Sequence, residues 1–179
     1  MLKLISLPLG LLSVIGMASS NDIQMSKTVR NAEATKNQAS LASFKACQTS
    51  DLSLHQLGGE GSMGHFEVMY GFTNTSSSTC TLYGYPKFVP LDAKGQQLEE
   101  IKVINNYLHQ PKHLIIAPNA QASFKITYVH INSSGKQCSS SSKVKIALPN
   151  KDQYFTLVEH LRPCGEISLT PLKLDITDK

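Results

Sequence analysis

From residue 66 to residue 72 the chain reads Phe-Glu-Val-Met-Tyr-Gly-Phe, so an extended backbone would carry Phe66, Val68, Tyr70 and Phe72 on one face. A period of two with one apolar side marks a half-buried strand. The pattern returns at Phe124, Ile126 and Tyr128, with Lys125 and Thr127 on the other side, and again through Val144, Ile146 and Leu148. Further candidate strands fall at 52–57, 82–91, 101–104, 114–117, 154–158 and 167–174. Turn-forming clusters separate them, among them "GGEGSMG", "NTSSST", "DAKGQ", "APNAQ", "NSSGK", "LPNKD" and "RPCGE". No stretch of the domain sustains helical apolar spacing over ten positions. Short strands with turns every dozen residues predict an all-β fold, an antiparallel β-sandwich. The chain has no Trp, the residue that packs on the antibody-type disulfide, so an antibody domain proper is not expected.

The first residues, "MLKLISLPLGLLSVIGMASSN", place one lysine before an apolar run and small residues after it. That order predicts a secretory signal peptide over residues 1–20, cleaved near Ala18 or Ser20. The run is too short for a spanning helix, and Pro8 and Gly10 weaken it further. No cysteine stands at the cleavage point, so a lipid anchor is not expected. The expectation is a secreted or periplasmic protein without stable membrane insertion after cleavage. Residues 21–46 are rich in Asn, Gln, Lys, Ser, Thr and Ala and poor in large apolar residues. They are read as a flexible spacer, leaving residues 47–179 as the β-sandwich domain.

All four cysteines, Cys47, Cys80, Cys138 and Cys164, fall in that domain. An even number in an exported chain predicts disulfides, and no C-x-x-C supports a redox motif or a zinc knuckle. Of three possible pairings, Cys47–Cys80 with Cys138–Cys164 is favoured because each bridge then staples neighbouring segments. Each loop of about 30 residues would be worth roughly 3–4 kcal/mol through lost chain entropy. The formal charge is +4, only two of the seventeen basic residues are arginine, and the lysines are scattered. A nucleic-acid surface needs clustered charge, so none is expected.

The order of landmarks resembles a known family. A cysteine (Cys47) precedes the first strand, and a Gly-rich segment (58–64) precedes an aromatic strand ending in Phe-Thr-Asn-Thr-Ser (72–76). Cys-Thr-Leu-Tyr-Gly-Tyr-Pro (80–86) follows, then Asp92 and Gly95, an Ala-x-x-x-Ile-x-Tyr strand (122–128), Cys138, Leu148-Pro149 and Cys164-Gly165. The chain is similar over about residues 47–174 to the bacterial exported family catalogued as domain of unknown function 4232. The resemblance implies an immunoglobulin-like sandwich outside the cytoplasm, and no catalytic residues to carry over. Where the family usually shows Pro-Gly this chain has Pro118-Asn119, and Asn accepts the positive φ such a turn demands. Within Gly84-Tyr85-Pro86, the glycine permits a bend and the proline confines its position to an edge or a strand start. Tyr83 and Tyr85 are expected to pack, with ligand stacking as the alternative.

Several motifs suggest chemistry and fail on context. Gly59 to Gly64 matches G-x-G-x-x-G, but a strand rather than a helix follows, which predicts a flexible hairpin loop. Ser140 to Lys143 matches S-x-x-K without the partner motifs of acylating enzymes. His109 and His113 are four apart with Pro111 between them, which spoils a helical metal pair. His65 with Met63 and Met69 would suit copper, although the residues are not expected to converge. His130 extends an apolar strand face and is expected to be a satisfied core or rim histidine. Asn74-Thr-Ser and Asn132-Ser-Ser are glycosylation sequons that matter only in a eukaryotic secretory host. No catalytic, metal-ligating or cofactor-binding residue is therefore assigned, and no cofactor is expected. The sequence favours a non-enzymatic binding module whose partner is a protein or glycan of the cell envelope. The alternatives are an envelope hydrolase or enzyme inhibitor, and a copper- or zinc-handling periplasmic protein.

Overall fold

Strands and their connections, with one short 3-10 helix at Thr49–Asp51, make up the chain where the computed structural model describes it, at residues 44–130 and 138–175. The expected signal peptide, its cleavage near Ala18 or Ser20, and most of the expected spacer lie outside the described residues. Lys45 and Ala46 already belong to the β-structure. The Thr81 N–H donates to the Lys45 carbonyl at 2.9 Å, and the Cys47 N–H donates to the Thr81 carbonyl at 3.0 Å.

The first hairpin joins β1 (Leu52–Ser62) to β2 (His65–Asn74). Only Met63 and Gly64 turn the chain, with φ of 48° and 85°, the paired positive values of a two-residue turn that matches strand twist. The glycine-rich segment is thus strand where a flexible loop was expected. Gly59 faces Val68 and Gly61 faces Phe66 across the ladder. A Cβ on Gly61 would stand 2.8 Å from the Phe66 ring, and one on Gly59 would stand 3.3 Å from it. Alternate glycines leave bare backbone on which the ring lies, so the G-x-G spacing is a packing device. The register shifts between Gln56 and Gly58, a bulge that places Leu57 outside the pairing.

β2 pairs with β7 (Gln121–Val129), which pairs with β10 (Glu166–Leu169) and with β11 (Lys173–Leu174); β10 in turn pairs with β5 (Lys102–Asn105). A second sheet runs β4 (Lys87–Leu91), β8 (Lys143–Ala147), β9 (Tyr154–Val158), and β3 (Cys80–Leu82) pairs with β6 (Leu114–Ile116). The isolated bridge of Ala46 to Thr81 is parallel, and pairing between strands is antiparallel except between β10 and β5. That parallel pair corrects the wholly antiparallel expectation, and the four strands intervening between β5 and β10 supply the long crossover it needs. Two expected strands are each split. Residues 82–91 break at Gly84-Tyr85-Pro86, where Gly84 has φ of +113°, and residues 167–174 break at Pro171, which has no N–H for the ladder.

Aromatic side chains join the sheets across one core. Tyr70 lies 5.4 Å from Phe124 within the large sheet and 6.0 Å from Phe88 of β4, and Phe72 lies 5.6 Å from Phe155 of β9. Two disulfides close the fold, Cys47–Cys80 and Cys138–Cys164. The first is buried against the core. Asn74 is also fully buried. Its Nδ2 donates to the Ser78 carbonyl (2.8 Å) and the Ile116 carbonyl (2.9 Å), and its Oδ1 accepts from the Ser76 N–H and hydroxyl. The sequon asparagine is therefore the pin that ties the serine loop to β6. Asn119 takes the positive φ expected of it, 63°, in the neighbouring turn.

Candidate functional site

The Gly-Tyr-Pro break places two distant segments side by side. Gly84 offers its carbonyl to the Leu172 N–H at 3.1 Å, which seats the 170–174 segment. Tyr85 reaches the other way. Its hydroxyl lies 3.0 Å from the Asn106 carbonyl and 2.7 Å from the His109 carbonyl, tying down the loop that leads into β6. Tyr85 is thus a structural anchor, as its packing reading anticipated. Replacing Tyr85 with Phe removes the donor and keeps the ring. We expect a loss of about 1 kcal/mol and faster amide exchange confined to residues 106–110, read by hydrogen–deuterium exchange, with strand amides of β2 and β7 unchanged.

Between the two segments lies a groove of about 530 Å³. Leu114, Pro171, Leu172 and Leu174 provide apolar surface, and Lys112, Lys125, Lys173 and His109 provide polar groups. The Lys125 Nζ lies 2.8 Å from a Glu67 carboxylate oxygen. Among the described residues, the one other ion pair is Lys87–Asp152, so the Lys112 and Lys173 ammonium groups have no carboxylate partner there. The wall is firm: Thr170 exchanges bonds with Lys125, its N–H donating to the Lys125 carbonyl and its Oγ1 accepting the Lys125 N–H, both at 2.9 Å. Asp175 closes the end of β11 by accepting from Gln121 Nε2 and the Ser123 hydroxyl. The groove can therefore hold an anionic group beside an apolar one, and its lining contains no carboxylate and no thiol.

The most perturbed acids lie elsewhere. Burial first, and then the Glu159 carboxylate, push the Tyr70 hydroxyl far above its ordinary range. That hydroxyl faces the Glu159 carboxylate without a hydrogen bond of good geometry. Burial likewise raises Glu159 and Tyr128. None of the three lines the groove.

The motifs weighed in the sequence separate in space. His109 lines the groove, whereas His113 stacks on Tyr83 with ring centroids 4.3 Å apart, beside a different cavity. Tyr83 thus spends one ring face on a neighbour. Met63 projects into solvent at the hairpin turn, while His65 and Met69 lie on β2. No group of three or more His, Cys, Asp or Glu able to hold a metal occurs among the described residues. The His130 Nδ1 is buried without a partner among the described residues, and the ring meets Phe66 edge-on at 5.9 Å. In the S-x-x-K run it is Ser141 that is buried, donating to the Glu159 carbonyl and accepting the Leu161 N–H. That serine is a structural clasp. No helix of the described residues is long and apolar enough to cross a membrane.

Lys112 and Lys173 were not singled out by sequence reasoning. They lie 61 positions apart in segments with no shared motif; the nearest signal was the proline in each, Pro111 and Pro171. Compared with known proteins, residues 47–173 match the family described as Domain of unknown function (DUF4232). No curated protein and no solved structure matches the chain.

Proposed function

The chain belongs to the DUF4232 family, and from that membership and the groove we propose that it is a non-catalytic binding module with an immunoglobulin-like sandwich, exported to the bacterial envelope or beyond. Two disulfides accord with an oxidising compartment. The observation that carries the binding reading is the groove itself, an apolar floor with lysines at its rim. Concave, mostly apolar surface with a few placed polar groups is the usual form of a ligand site. The cations select an anion, and the leucines reward an apolar portion attached to it.

Decanoate is a suitable probe because decanol offers the same chain without the charge. Decanoate should bind and raise the melting temperature, decanol should bind at least about tenfold more weakly, and Lys112→Glu/Lys173→Glu should abolish the preference. A tenfold loss corresponds to the modest worth of one or two partly solvated charges. Equal binding of decanoate and decanol, or a preference that survives the double variant, would remove the groove from consideration.

A further inference from the structure

We propose that this groove and the loop beside it dock the protein onto an anionic lipid bilayer, an inference that rests on the groove being the binding surface. The loop carries the first observation. Asn106 accepts the Leu108 N–H on its Oδ1 (3.1 Å) and the His109 N–H on its carbonyl (3.3 Å), and Gln110 Nε2 donates to the Tyr107 carbonyl (3.2 Å). With Tyr85 holding the Asn106 and His109 carbonyls, the turn is fixed from both ends. What it presents is apolar: Tyr107 is 73% exposed and Leu108 is 89% exposed. A rigid turn that holds a tyrosine and a leucine in water, next to an apolar groove, is surface awaiting a partner.

Charge indicates the kind of partner. The groove is lined by Lys112, Lys125 and Lys173 with no aspartate or glutamate, and of these Lys125 is paired with Glu67. The end of the turn, His109 and Gln110, and Lys112 meet Lys173 and Leu174 there. A bilayer suits all of these at once. Tyrosine favours the headgroup level, leucine the acyl boundary, and lysines extend past them to lipid phosphates. An acidic peptide fits less well. It would seek unused backbone donors by adding a strand, yet the N–H groups of Thr170, Leu172 and Asp175 on the β11 wall are already donated within the fold.

The chain has no tryptophan, so one introduced tryptophan reports on its own surroundings whatever residues 1–43 do. Leu108→Trp in the full chain should shift its emission to the blue with phosphatidylglycerol vesicles and stay unchanged with phosphatidylcholine vesicles. Val158→Trp, on β9 and 74% exposed, should shift with neither. Adding Lys112→Gln and Lys173→Gln to the Leu108→Trp protein should weaken partitioning about twentyfold, since each lysine near an anionic surface is worth roughly a factor of five. Added salt should act in the same direction. Unshifted emission from the Leu108→Trp protein, an equal shift with the neutral vesicles, or a shift that ignores both lysines would overturn the proposal. If decanoate binds the groove while the Leu108→Trp emission ignores vesicles, the groove reading stands and the bilayer falls. A shift induced by an acidic peptide and not by vesicles would replace the bilayer with a protein partner. If decanoate fails as well, both readings fall.

Discussion

Reduction of both disulfides is expected to lower the thermal unfolding midpoint by about 20 °C or more. The bridges close loops with sequence separations of 33 and 26 residues. Each therefore withdraws roughly 3–4 kcal/mol of chain entropy from the unfolded state, and the two together are comparable with the whole stability of an ordinary domain. The bridges are not equivalent in place. Cys47–Cys80 is buried and fastens the entering chain to β3, next to the Asn74 pin, whereas Cys138 and Cys164 are only half-buried. Cys47→Ala/Cys80→Ala should therefore cost more than Cys138→Ala/Cys164→Ala, because it adds lost packing to lost cross-linking. Calorimetry of the oxidised protein, the two double variants and the reduced protein tests this ordering. An unchanged melt on full reduction would show that the bridges carry none of the stability assigned to them.

Asn74→Ala is expected to destabilise the protein by about 3 kcal/mol, the second largest effect. The side chain makes four hydrogen bonds in a site with no access to solvent. Truncation takes the side-chain donor from the Ile116 carbonyl, which still faces Cys80 in the β3–β6 ladder, and the lost buried hydrogen bonds, at about 1 kcal/mol each, set the size of the effect. The Ser76 and Ser78 groups are nearer the surface and can recover with water. Ser78→Ala should be close to neutral, since Asn74 uses only the Ser78 carbonyl and not its hydroxyl. Urea denaturation of the two variants separates the cases. Equal midpoints for Asn74→Ala and the unaltered protein would mean that the pin is dispensable.

Asn74 also shows what a sequence does and does not reveal. Its neighbours, Phe72 in the alternating strand and Cys80 beyond the serines, were legible because period two and paired cysteines follow from local rules. The asparagine itself read as a sequon, because nothing local says that its amide will be buried against a carbonyl 42 positions away. The glycines at 59 and 61 were misread for a similar reason. In isolation Gly-x-Gly signals flexibility, and only the cross-strand register shows that Phe66 occupies the space where two side chains would be. The parallel β5–β10 pair and the groove depend on segments brought together by the crossover and by Tyr85, so no window along the chain contains them. Tyr85 was the nearest approach: its motif stood out, its packing role was anticipated, and the groove it frames was not.

The central claim is that the surface between residues 109–114 and 170–174 is where this protein binds. Amide and methyl NMR spectra recorded during a decanoate titration test it most directly. Progressive shifts grouped on Lys112, Leu114, Leu172, Lys173 and Leu174, with β8 and β9 silent, are the predicted result. Shifts scattered over the fold, or grouped on the face of β8 and β9 while the groove residues stay fixed, would contradict it.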